Sequence, residues 1–530
     1  MSISTAPGRN RRVRPRAWRA FGAVCLALAS GLAACSGTGG GTSAAGGGQA
    51  NASGVLRYGY DLGAQSTNFD PGKSVSDCDA IAIQPIYDTL IHRDLNGNLL
   101  PGLAESWQLQ GKTLTFHLRP GVKFQDGETF DANAVKQGLE HNEKNTSYSD
   151  LAIIDSIDAV DPLTVRLNLK DLTGVQLLYS FTAREGMIVA PNASSTASQH
   201  PVGAGPFSFV SFTPGSQISL RANPSYWGKG TYHFGGIDFV QVGTGPPAVT
   251  ALKAGSVDMI RFEAESYQGL KADPAVGVAV QNSPAYLQFQ FRFAPPFDNL
   301  KVRQAVEYAI NRDQINQVVQ DGLGEVATQP YAKGTAEYVP GLANLYPYDP
   351  AKSRQLLTEA GYPNGVNVEM VIPGGNITNM ERQGGIVQQE LNAVGFHVTI
   401  KRILGSDIEA GYYLSGAGNA FAAEKLGEVF PPNLLYGSYG RDQFVAIWSK
   451  GENQQITDLM KQALSTSDAT EAAKLTQQAS TIVMQNALEV PIAFAPQMIA
   501  YSHGRVGGIV HGQTNICDAP DLTGVIVKKS

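Results

Sequence analysis

The motifs that mark common enzyme chemistries are missing from this chain. It has no Gly-x-Ser-x-Gly elbow, no His-Glu-x-x-His zinc helix and no phosphate loop of the GxxxxGK type. The eight histidines stand singly (His92, His117, His141, His200, His233, His397, His503, His511), without the close spacing of metal ligands on one element. Each reads as a surface or hydrogen-bonded histidine, and neither a metal nor a cofactor is expected. Long apolar runs are also lacking, since the one pronounced run, residues 20–32, is too short to span a bilayer. Cysteine is scarce, with four in 530 residues.

What is present at the start explains the short run. Six arginines (Arg9, Arg11, Arg12, Arg14, Arg16, Arg19) and no acid precede or flank it, the pattern of an export leader over residues 1–34. The leader ends in Leu32-Ala33-Ala34-Cys35, which resembles the lipobox of bacterial lipoproteins and implies acylation of Cys35, palmitate included. Residues 35–54 are mostly Gly, Ser, Ala and Thr, a composition that buries little apolar surface and acts as a flexible tether. Without the six leader arginines, 34 of the 40 Lys and Arg remain against 46 Asp and Glu, a balance of −12. Such an acidic chain excludes nucleic acid and anionic lipid as electrostatic partners. Cys78 and Cys517 then remain, and two cysteines in an exported protein read as one disulfide.

Beyond the tether, about 475 residues suffice for two or three folding units at roughly 100–200 residues each. Asp349 and Pro350 place an N-cap and a first-turn proline before AKSRQLLTEA, and Gly361 sits where that helix ends. VNVEMVIP alternates like a strand, IVQQELNAV has helical spacing up to Gly395, and FHVTIK alternates again. Strand, helix, strand in some 35 residues predicts a βαβ unit in a parallel sheet. Val302, Ala305, Val306, Ala309 and Ile310 form one apolar helix stripe, with Arg303 and Arg312 off it as structural residues. TLTFHLRPGVKF and LTVRLNLK read instead as short alternating strands of an antiparallel subdomain over residues 98–202.

Aromatic side chains gather late, with Tyr412, Tyr413, Phe421, Phe430, Tyr436, Tyr439, Phe444 and Trp448 in a stretch rich in Gly and Pro. Rings on irregular segments either line a ligand pocket or plug a core, and both readings stay open for each of them.

Four stretches carry a resemblance to a known family. They are LPGLAESWQLQGKTLTFHLRPGVKFQDGETFDANAV, VGAGPFSFVSFTPGSQISLRANPSYWG, KVRQAVEYAINRDQI and YDPAKSRQLLTEAGYPNG. In order and spacing they are similar to the family 5 extracellular solute-binding proteins of ABC importers, which include oligopeptide, dipeptide and nickel binders. With AGSVDMI they span about residues 55–500. Trp107, Trp227, Gly121, Gly127 and Gly205 fall among the matching residues and read as packing anchors and turns.

The resemblance implies an α/β, two-lobed periplasmic-binding-protein type II fold (cluster C), with an extra subdomain in lobe I and a hinge. Lobe I would comprise residues 55–97, 203–283 and 492–530, with the 98–202 subdomain attached, and lobe II residues 284–491. Strands near SPAYLQFQ and EVPIAFA would cross the hinge. The implied role is a non-enzymatic, monomeric lipoprotein on the outer face of the cytoplasmic membrane. It would capture a peptide or peptide-like solute and pass it to permease and ATPase subunits. An anchored enzyme, or a sensor or chaperone on the same scaffold, is the alternative. The family's lobe I contacts fall on Tyr60, Gln65 and Ser66, and the late aromatic stretch contributes Tyr412, Phe421, Glu428 and Phe430. Peptide-binding relatives carry an aspartate for the ligand's amino group in a Trp-x-x-Asp-x-x-x-Pro type stretch. Here NAFAAEKLGEVFPPNLLYGSY lacks both Asp and Trp, and Glu428, four residues before Pro432 and near Glu424 and Lys425, is the substitute on offer.

Overall fold

The computed structural model describes residues 50–61, 68–73, 80–94, 97–145, 150–172, 174–374, 378–404, 408–425, 427–428, 430–440, 453–466, 468–508 and 521–529. Cys35, Gln65, Ser66, Cys78 and Cys517 lie outside them. Most strands join one 11-stranded sheet. Its order runs 396–404, 366–374, 420–425, 276–291, 489–502, 259–261, 55–60, 236–241, 217–222 and 207–213, with the short strand Glu325–Val326 paired to Glu489–Ser502.

Two strands hold this sheet together, Val276–Phe291 and Glu489–Ser502, paired antiparallel along most of their length. From Val276 to Asn282 the first pairs with Ser502 back to Pro496, and from Tyr286 to Gln290 it pairs with Phe494 back to Glu489. Between Asn282 and Tyr286 the register shifts, and such a bulge bends a strand locally. On one side of the bulge the core holds Leu56, Tyr58, Phe239 and Met259, with Ile499 from the second crossing strand. On the other it holds Phe289, Val368, Ile372 and Phe396, with Val490 and Ile492 from that strand. The same two strands therefore serve two cores with a bend between them, which is the two-lobed architecture.

In the second core the parallel unit is present. Val366–Gly374 pairs in parallel with Phe396–Leu404, from Val366 opposite Phe396 onward, and helix Thr378–Val394 connects them. Helix Pro350–Glu359 starts on Asp349, whose carboxylate accepts from the Lys352 amide at 2.9 Å, and is followed by Gly361 at φ +94°. The stripe of helix Leu300–Ala309 is buried. Arg303 and Arg312, off that stripe, are buried as well. Arg303 donates to the carbonyls of Phe297, Asn486 and Ala487, and Arg312 to those of Ala327 and Pro491, so both tie helices to the neighbouring chain by satisfying carbonyls. A further layer of three helices, Pro431–Tyr439, Asn453–Ser465 and Ala469–Gln485, packs Leu434, Ile456, Met460 and Val483 with Tyr286 and Phe494.

The antiparallel subdomain is a four-stranded sheet in the order 104–110, 113–118, 164–169, 154–161. Leu114, Phe116 and Leu118 alternate with more exposed neighbours and bury against Val135 and Leu139 of helix Ala132–Asn145. Leu90, Ile91 and Ala204 also belong to this core. Trp227 is the anchor that its sequence context suggests, since its Nε1 donates to buried Asp88 at 2.8 Å and the Arg119 guanidinium lies 3.9 Å over its ring. Among the described residues, no helix is long and apolar enough to cross a membrane.

Candidate functional site

In open sheets with parallel strands, ligands bind beyond the carboxyl ends, where loops diverge and side chains converge. Here two such edges meet. In the first lobe Val55–Tyr60 runs parallel to Gly236–Gln241 and Met259–Arg261, so Tyr60, Gln241 and Arg261 mark one edge. In the second, Val366–Gly374 runs parallel to Phe396–Leu404 and Ala420–Lys425, so Gly374, Leu404 and Lys425 mark the other. Glu263, two residues past Arg261, accepts from Nδ2 of Asn379, five residues past Gly374, at 2.6 Å. Glu265 and Arg382 approach to 3.6 Å beside it. Nearer the crossing strands, Gln268 Nε2 donates to Asp321 at 2.8 Å.

A second contact joins the antiparallel subdomain to the second lobe. The rings of Tyr179, from helix Gly174–Ser180 of the antiparallel subdomain, and Phe430, just before helix Pro431–Tyr439, stack at 4.6 Å and 14°. Burial raises the Tyr179 hydroxyl, Arg93 lowers it, and Glu337 across the rim raises it again. Burial also raises the Glu337 carboxyl above its ordinary value.

One face of the second lobe's sheet carries residues that pair side by side. These are Tyr286 with Lys425, Gln288 with Ala423 and Gln290 with Phe421, and directly opposed residues share a face. Glu489, only 1% exposed, accepts from Lys425 Nζ at 2.6 Å, Tyr286 OH at 2.7 Å and Tyr439 OH at 2.8 Å. Three donors on one buried carboxylate neutralise and hydrogen-bond it, the condition for keeping a charge inside. The Tyr331 hydroxyl nearby donates to the Pro431 carbonyl at 2.8 Å, and burial, then Glu337, Glu489 and Glu428, drive its pKa up.

The candidate contacts fall in different places. Tyr60 is half-buried at its strand end, 6.3 Å from the Tyr58 ring. Tyr412 is fully buried and stacks on Phe421 at 4.8 Å, in a small cluster with Val371 and Ala423. Arg292 fixes that segment by donating to the Tyr412 and Gly418 carbonyls at 2.7 and 2.9 Å. Phe430 lies in the rim stack, and Glu428 is exposed. Lys425, the cation next to Glu428 in sequence, is already paired with Glu489. The structure thus brings Tyr412 and Phe421 together, sets Phe430 against the antiparallel subdomain, and leaves Glu428 at the surface. Tyr179, Glu263, Asn379 and Glu489 escaped the sequence reading. Their partners lie 50 to 251 residues away along the chain, and only Glu489, an acid heading the apolar run VPIAFA, left a visible trace. Together these groups offer stacking faces, buried hydroxyls and fixed charges, which suit holding a polar organic molecule.

Residues 98–440 match the model of the bacterial extracellular solute-binding proteins, family 5. Heme-binding protein A of Haemophilus influenzae is 30% identical over 469 residues, 78% of this chain and 83% of that protein. The glutathione-binding protein GsiB of Escherichia coli O157:H7 is 27% identical over 472 residues, covering 84% and 90%. The solved structure of AgaA from A. tumefaciens R10, in complex with agropinic acid, superposes with a TM-score of 0.77 at 26% identity, covering 90% of this chain and 99% of that one.

Proposed function

The chain belongs to the family 5 bacterial extracellular solute-binding proteins, and from that membership we propose that it captures a peptide or peptide-like solute between its two lobes for an ABC importer. The observation that carries the reading is the pair of crossing strands bent at residues 282–286, with side chains from both lobes meeting at each rim. A ligand touching both edges favours the closed form by its differential affinity, and the permease and ATPase subunits then recognise closure. The relatives' names span heme and glutathione, so the scaffold alone does not fix the ligand. A medium-sized polar organic molecule fits the mix of Tyr60, Gln65, Ser66, Tyr412, Phe421, Glu428 and Phe430, which we assign as its contacts.

The same proposal covers the remaining architecture. Residues 55–97, 203–283 and 492–530 form lobe I, 98–202 its subdomain and 284–491 lobe II. Cys35 carries the lipid that holds a monomeric, non-catalytic protein to the outer face of the membrane, and Cys78 bridges Cys517. Mass spectrometry of small molecules released from the purified protein by mild denaturation tests the reading. Recovery of a stoichiometric peptide-like solute supports it, and a protein that releases nothing and retains no peptide from a mixed pool contradicts it.

A further inference from the structure

The two rims of the cleft are built from different chemistry. At one, the contacts are Glu263 with Asn379 and Glu265 with Arg382, all polar and partly exposed. Water replaces such contacts readily, so parting them costs little. At the other, two rings lie face to face, and water does not replace a stack.

The rings also depend on each other. Leu177 and Leu178 fix the helix of Tyr179 in the subdomain core, and Leu434 and Leu435 fix the helix after Phe430 in the second lobe. Phe430 itself, although 5% exposed, belongs to none of the hydrophobic cores among the described residues. Its ring partner is Tyr179, and helix Gly174–Ser180 lies against helix Asn453–Ser465 beside it. Separating the lobes therefore uncovers an aromatic pair that joins none of the hydrophobic cores among the described residues.

We infer that Tyr179 and Phe430 form an aromatic gate across this rim, closing the cleft by stacking and limiting the length of solute that fits inside. The length limit rests on the cleft reading above, while the gate itself does not require a particular ligand. A chain leaving the chamber at this rim must part the rings and forfeit the stack, which shifts the closed-to-open ratio by roughly 2- to 10-fold.

Hydrogen–deuterium exchange on the full chain saturated with the solute that it releases on denaturation decides the gate, because the rings meet in the closed form. Tyr179→Ala should speed amide exchange in helix Pro431–Tyr439, on the opposite lobe, roughly 2- to 10-fold, while Tyr179→Phe should exchange like the wild type. Unchanged exchange in Tyr179→Ala overturns the gate. The length limit is read by native mass spectrometry with equimolar random pools of peptides two, four and nine residues long. The wild type should retain the short pools over the nine-residue pool, and Tyr179→Ala should narrow that preference at least about 2-fold. An unchanged preference overturns the limit. Retention of no pool by the wild type contradicts the peptide-like ligand of the previous section, and exchange alone then judges the gate.

Discussion

Replacing Glu489 by Gln tests the buried charge cluster beside the hinge. The substitution keeps the side chain's size and removes the charge that neutralises Lys425, whose side chain is 13% exposed. The Lys425 ammonium would keep the neutral amide oxygen of Gln and the rings of Tyr286 and Tyr439, 5.7 and 5.5 Å away, so its charge stays partly compensated, by about 0.5–1 kcal/mol for each ring. Breaking a buried pair costs about 3–5 kcal/mol. With that compensation, Glu489→Gln should destabilise the second lobe by about 1–4 kcal/mol, read as a lower urea midpoint. Adding Lys425→Met removes the stranded charge and should recover at least about half of the loss. A single variant within about 0.5 kcal/mol of the wild type, or a double variant no better than the single, would refute the reasoning.

Glu307 and Glu390 flank Arg312, and burial, against the pull of Arg312, raises both carboxyls from 4.5 to about 7. The folded state thus holds protons that the unfolded chain has released, so stability falls as pH rises from about 4.5 to 7, by up to about 3 kcal/mol per group. Glu390→Gln should flatten that fall in thermal midpoints, and an unaltered pH slope would contradict it. A Cβ on Gly205 would sit 2.6 Å from backbone atoms of Pro85 and Ile86. Gly205→Ala should therefore cost about 1–3 kcal/mol, and a neutral effect on the unfolding midpoint would show that the backbone yields there. Cys35→Ala should release the protein into the medium or leave its leader uncut, whereas a membrane-bound product with a normal amino terminus rules out lipidation.

The parts legible in the sequence were those fixed by local pattern. Asp349, Pro350 and Gly361 bound one helix because caps and left-handed glycines act within a few residues. The alternation of Leu114, Phe116 and Leu118 marked a half-buried strand for the same reason. Arg312 was legible as structural, but not its burial beside Glu307, since an arginine's spacing does not reveal which carbonyls it will satisfy. The late aromatic stretch showed that rings gather without showing which meet. Tyr412 and Phe421 pack on each other within one lobe, while Phe430 reaches Tyr179 in another core. That distinction depends on how two lobes close, and no local period encodes it.

Solution scattering with and without the solute released from the purified protein tests the central claim most directly. The solute, added back at saturation, should contract the particle and be recovered with its mass unchanged, because the two lobes close on a ligand they do not alter. A particle of unchanged dimensions at saturation, or a solute returned with a different mass, would contradict the account.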